Sequence, residues 1–79
     1  MMVYGVMWRE PGYGQDLWII ERRLFEDRDS AFRFAYNIAN NHWHLESFSP
    51  EDYGEYRDHI ALFRDGRTLA EYHVLDFEL

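Results

Sequence analysis

The side chains best suited to chemistry are four histidines, His42, His44, His59 and His73, set among fifteen acidic residues. Imidazole beside carboxylate is the donor set of zinc and related divalent sites. His42-Trp43-His44 forms an H-x-H pair, and His59 and His73 stand to be neighbours in a terminal hairpin. Outside a strand, however, H-x-H does not hold both rings on one face, and a metal needs its ligands to converge with supporting partners. Histidines close to a helix end also complement its dipole and its last carbonyls. The expectation is no metal and no cofactor, with a small histidine metal-binding protein kept as the third functional reading. Nucleophilic chemistry has less to stand on. There is no cysteine and no G-x-S-x-G elbow, and the single threonine, Thr68, lies beside a turn. Gly12 and Gly14 make a lone G-x-G with no helix after it, a poor phosphate cradle. Carboxylate pairs need a walled cleft to separate their pKa values, and a chain of 79 residues has little room for one. We therefore expect a protein that is not an enzyme.

The distribution of charge says more. Fifteen acids stand against eight arginines, for a net charge of −7. Residues 1–40 hold six acids and five arginines, whereas residues 41–79 hold nine acids and three arginines. This balance argues against direct nucleic-acid binding, which rests on neutralising phosphates with basic side chains. In the second half, Glu46, Glu51, Asp52, Glu55 and Asp58 are interleaved with Trp43, Phe48, Tyr53 and Tyr56. Acids mixed with aromatics on an exposed connection suit a basic protein surface: the acids steer the encounter and the aromatics supply buried anchors. The candidate partner-binding surface is thus Trp43, Glu46, Glu51, Asp52, Tyr53, Glu55, Tyr56 and Asp58. A plainer reading is that these acids only keep a small, aromatic-rich domain in solution. Arg22 and Arg23, with Arg9 and Arg28, form the opposite pole and are expected to protect a strand edge.

The elements that position these groups follow from periodicity. Met2 to Arg9 alternates as a strand, with Met2, Tyr4, Val6 and Trp8 on one face. A Pro11-Gly12-Tyr13-Gly14 loop leads to a second strand, expected over Leu17 to Phe25. The period then lengthens. Asp27 is a good N-cap, and Ala31, Phe34, Ala35, Ile38 and His42 share a stripe of a helix of about three turns that frays at Asn40-Asn41. Ser49-Pro50-Glu51-Asp52 predicts one helical turn at most, stopped by Gly54. The segments Ile60–Phe63 and Leu69–Val74 form a hairpin around Asp65-Gly66. A three-residue loop pairs Leu62 with Ala70 and Ile60 with Tyr72, which makes one wholly apolar face.

These elements predict one α+β domain over residues 1–79: a four-stranded, mainly antiparallel sheet with one helix on one face, in the order β-β-α-β-β. One helix covers one side of such a sheet. Phe63, Leu69 and Leu75 are therefore expected on an open face that a homodimer could use, the second functional reading. No apolar run approaches the ~20 residues of a membrane-spanning helix. A cysteine-free chain with no basic leader before its apolar start reads as cytoplasmic.

Phe25 through Ala39, with its Phe-x-Asp cap and alanine–aromatic spacing, and Ile60 to Glu71, with its Arg-Asp-Gly-Arg hairpin, resemble small phage and mobile-element proteins. Several anti-CRISPR proteins share this length, acidic balance and element order. The resemblance is one of pattern and carries no individual residue role. It implies stoichiometric inhibition in the host cytoplasm. Such a protein occludes a basic nucleic-acid path of a CRISPR effector subunit, or a surface that recruits a nuclease.

Overall fold

The alternating start of the chain forms strand β1, Met2–Glu10, and the computed structural model describes all residues from 1 to 79. A 3-10 turn over Pro11–Tyr13, closed by Gly14 in the left-handed region (φ 78°), leads into β2, Gln15–Ile20. Helix α1 spans Arg28–Trp43, and two further 3-10 turns, Leu45–Ser47 and Pro50–Asp52, precede β3, Tyr53–Glu55. Strands β4, His59–Arg64, and β5, Arg67–Glu78, complete the chain. The strands form one five-stranded sheet in the order β2-β1-β5-β4-β3, with every pairing antiparallel. The α+β class with one helix stands, and the expected strand count of four is corrected to five. The additional strand is β3. It is three residues long and exists only because Tyr53, Gly54 and Glu55 pair with Leu62, Ala61 and Ile60.

Strand β2 is shorter than expected. It ends at Ile20, and the backbone of residues 22–24 bulges from the sheet between two anchor points. At one anchor the Glu21 N–H donates to the Val6 carbonyl at 2.9 Å; at the other, Phe25 and Tyr4 exchange bonds of 2.8 and 2.9 Å. Three residues thus oppose Gly5 alone, a geometry that places Arg22 and Arg23 where they interrupt the free edge.

Helix α1 begins as its cap dictates. The Asp27 carboxylate accepts from the Ser30 N–H at 2.8 Å and from the Ser30 hydroxyl at 2.9 Å, and the backbone bond holds its pKa below the usual value. The buried stripe is Ala31, Ala35, Ala39 and Trp43, spaced four apart. Phe34 and Ile38 flank that stripe half-buried, while His42 sits on its rim. The helix does not fray at Asn40: Asn40 Oδ1 accepts from the Leu45 N–H at 2.9 Å, and His44 caps the helix at φ 53°.

The terminal hairpin turns through Asp65 and Gly66, both at positive φ (53° and 76°), with Arg64 opposite Arg67. Ile60 pairs with Tyr72 and Leu62 with Ala70, as the apolar-face argument requires. The means differ from the expected three-residue loop. A two-residue turn is followed by a bulge, because Phe63 pairs with Thr68 and leaves Leu69 as the additional residue. The bulge changes where Leu69 goes. It is 6% exposed and belongs to the helix-side core, so its assignment to an open face is corrected. Val6, Ile60, Leu62, Ala70, Tyr72 and Val74 meet the alanine stripe to form that core, and no buried side-chain polar atom lacks a partner. No helix is long and apolar enough to cross a membrane.

Candidate interaction surface

Two clusters of polar and aromatic side chains could carry function, and the sheet builds both. The first lies at the end of α1. One carboxylate oxygen, Glu10 Oε2, accepts from the Tyr72 hydroxyl, from Trp43 Nε1 at 3.0 Å and faces His42 Nδ1 at 2.7 Å. Trp43 Nε1 also donates to the Tyr72 oxygen at 2.8 Å. Burial, then the Glu10 charge, pushes the Tyr72 phenol well above the ordinary tyrosine range. Carboxylate, imidazole and phenol in contact could move a proton in an open cleft. Here the ring of Tyr13 stacks on Trp43 at 4.7 Å and Trp8 meets His42 edge-on at 5.1 Å. None of these residues lines a cavity. The cluster fastens the last turn of α1 to β1 and β5. It also corrects one assignment: Trp43 is 8% exposed and is a core residue, not a surface anchor.

The second cluster crosses the face of the sheet opposite α1. Register places Arg9 opposite Glu71 and Met7 opposite His73 on β1 and β5, and His59 opposite His73 on β4 and β5. The His59 and His73 rings stack at 4.5 Å and 4°. Tyr56 stacks on the far side of His59 at 4.5 Å, Trp18 meets His73 edge-on at 5.3 Å, and the Arg9 guanidinium lies 5.0 Å from the Trp18 ring. Glu71 anchors the row, accepting from Arg9 Nε at 2.8 Å and bonding His73 Nε2 at 2.9 Å. Burial works to raise the Glu71 pKa, but the bonds from His73 and Arg9, with the Arg9 charge, outweigh it and hold the carboxyl below its usual range. The histidines thus divide over separate places, and no three of the chain's histidines and carboxylates form a group that could hold a metal ion.

The acidic connection runs from the end of α1 through the edge strand β3 to the start of β4. Glu46, Glu51, Glu55 and Asp58 are exposed, while Asp52 is half-buried and accepts from the Ser49 hydroxyl at 3.1 Å. Asp58 bonds His59 Nδ1 at 2.8 Å, which lowers its pKa. Tyr53 packs half-buried against the core and donates to Glu55 at 3.1 Å; burial, then Glu55, pushes its phenol up. Phe48 also packs against the core. Tyr56, 50% exposed, is therefore the aromatic that this connection presents to solvent.

Exposed apolar side chains collect at the opposite edge. Helix α1 packs against β1, β5 and β4, leaving β2 outside its cover. In β2, Leu17 and Ile20 are 78% and 70% exposed with the exposed Trp18 between them, and Leu24, 53% exposed, follows in the segment beyond the strand. Phe63 and Leu75, expected on the open face, are half-buried. The sequence signal for the histidine row was the paired spacing of His59 and His73 about the Asp65-Gly66 turn. Arg9, Trp18 and Glu71 had no local signal, because strand pairing alone brings them together. In comparisons with known proteins, no family model, no curated relative and no solved structure matches the chain.

Proposed function

We propose that the chain is a non-catalytic interaction protein that binds a basic protein surface through its acidic β3 edge. The partner class implied by the sequence resemblance is a subunit of a CRISPR effector complex in the host cytoplasm. There the carboxylates occupy a path otherwise taken by nucleic acid, or cover a surface that recruits a nuclease. The observation that carries this reading is the exposure of Glu46, Glu51, Glu55 and Asp58 along the connection that carries β3, with the exposed ring of Tyr56 in the same segment. Arg57 is the one arginine among them, so the edge keeps a strong negative field. Such a field accelerates encounter with a basic surface, and Tyr56 supplies amphipathic contact area. The test measures binding to purified effector complexes for the wild type and for a variant with Glu46, Glu51, Glu55 and Asp58 changed to arginine. Loss of binding on reversal, with weakening of wild-type binding as salt rises, supports the reading; binding indifferent to both rejects it.

One observation favours a second reading. The exposed Leu17, Ile20 and Leu24 at the β2 edge are the side chains a homodimer would cover. Light scattering at high concentration decides it, because a clean monomer removes this alternative.

A further inference from the structure

Four rings, Tyr56, His59, His73 and Trp18, cross the open face of the sheet in one row. His59 on β4 and His73 on β5 are register partners, both half-buried, with ring planes 4° apart and centres 4.5 Å apart. Tyr56 stacks on the other side of His59 at 4.5 Å and 18°. Its ring lies over the bare backbone of Gly54, where a Cβ would fall 2.7 Å from Tyr56 Cε2. The turn through Arg57 and Asp58 brings the ring there, closed by the Tyr56 N–H donating to the His59 carbonyl at 2.9 Å. The face of Tyr56 thus rests on an imidazole, the side chain that ordinarily changes charge between about pH 5 and pH 8.

Each imidazole has its own carboxylate. Asp58 Oδ1 lies 2.8 Å from His59 Nδ1, and Glu71 Oε1 lies 2.9 Å from His73 Nε2. Arg9 on β1 already pairs with Glu71, whereas Asp58 pairs with His59. Trp18 on β2 and Met7 on β1 also meet His73, and neither carries charge. With one arginine to two carboxylates, the row reaches neutrality on taking up one proton. His59 is the place for it, because its carboxylate is not shared with an arginine, and the cation then lies against the attractive face of Tyr56. A second proton sets two like charges face to face at 4.5 Å, and the exposed Arg57 of the same turn adds to the excess. From this arrangement we infer that the His59–His73 stack is a proton-operated latch, which holds Tyr56 on the sheet with one proton bound and releases it when both rings are charged. The carboxyls do not supply the change. The bond from His59 holds Asp58 below the usual carboxylate range, and the bonds from His73 and Arg9 do the same for Glu71 against the effect of its burial. Tyr56 is the aromatic of the proposed interaction surface, so the consequence for partner binding rests on that reading. The latch itself is tested on the free chain, and the two fail separately.

The test follows the Tyr56 ring protons of the full chain by NMR from about pH 8 to about pH 5, with His59→Gln as the reference for an unstacked ring. The ratio of held to released ring is expected to fall at least about fivefold over that range, the least that two unit charges 4.5 Å apart impose in water. His73→Gln keeps a polar partner for Glu71 but cannot take the second charge. Its Tyr56 ring should stay held at the acid end, with the ratio changing by less than about twofold. Far-UV circular dichroism is expected to stay flat over the same range. A ratio independent of pH, an equal fall in His73→Gln, or a fall that comes only with loss of the far-UV signal would each overturn the latch.

Discussion

Tyr72→Phe is the most informative single change in the core, because it removes one oxygen atom and almost no volume. In the wild type that oxygen donates to the Glu10 carboxylate, accepts from Trp43 Nε1 at 2.8 Å and lies 3.2 Å from His42 Nδ1. The Tyr72 residue is 0% exposed, so water does not replace the lost partner on the Trp43 side without opening the core. Glu10 keeps Trp43 Nε1 at 3.0 Å and His42 Nδ1 at 2.7 Å, so the carboxylate is weakened but not orphaned. Because Trp43 Nε1 and His42 Nδ1 both keep Glu10, the lost bond to the charged carboxylate dominates the cost, about 1.5–3 kcal/mol, and the larger penalty of a stranded charge does not arise. For a domain of this size each kcal/mol moves Tm by about 4–8 °C, so a fall of about 8–16 °C follows for a loss of 2 kcal/mol. Thermal and urea unfolding followed by far-UV circular dichroism measure it, with Tyr13→Phe as the comparison. A loss below about 0.5 kcal/mol would refute the reasoning, because it would mean that Tyr72 and Glu10 do not share a buried bond.

Leu62 is fully buried, and its replacement by alanine should cost about 2–5 kcal/mol, whereas Leu17→Ala, at 78% exposure, should change stability by less than about 0.5 kcal/mol; paired urea denaturation curves check both. Gly12→Ala should destabilise by about 1–3 kcal/mol, because the new Cβ would fall 2.2 Å from Leu69 Cδ1 and 3.1 Å from the Leu69 backbone, and calorimetry should show the loss. Glu71 is held below its usual pKa by His73 and Arg9, so the stability it contributes is present above the ordinary glutamate range and is lost as pH falls through the lowered native value. Glu71→Gln should accordingly flatten the acid limb of a stability-against-pH curve, and an unchanged limb would count against the Arg9–Glu71–His73 network.

How much of this was legible in the sequence depends on how local each cause is. The Asp27 cap, the alanine spacing and the Asp65-Gly66 turn act over a few residues, and each was readable. The hairpin register was readable too, because only one pairing joins Ile60, Leu62, Ala70 and Tyr72 on one face. The bulge at Leu69 was not. It depends on Leu69 finding a place beneath Gly12, far away in the chain. Trp43 looked like a surface anchor because its neighbours are polar; its burial depends on a carboxylate supplied by Glu10. β3 escaped notice for a similar reason, since three residues carry no period and gain their form from β4. The acids of the connection were readable as a group. Which of its aromatics would face solvent required the sheet.

The central claim, that the acidic β3 edge binds a basic protein surface, is tested most directly by one binding measurement. Purified CRISPR effector complexes are immobilised, and the wild type is compared with the variant carrying arginine at Glu46, Glu51, Glu55 and Asp58. The account predicts wild-type binding that weakens with salt, with an association rate that falls at least about tenfold on reversal. Binding of equal rate by the reversed variant, or no binding by the wild type to any of the complexes, would contradict it.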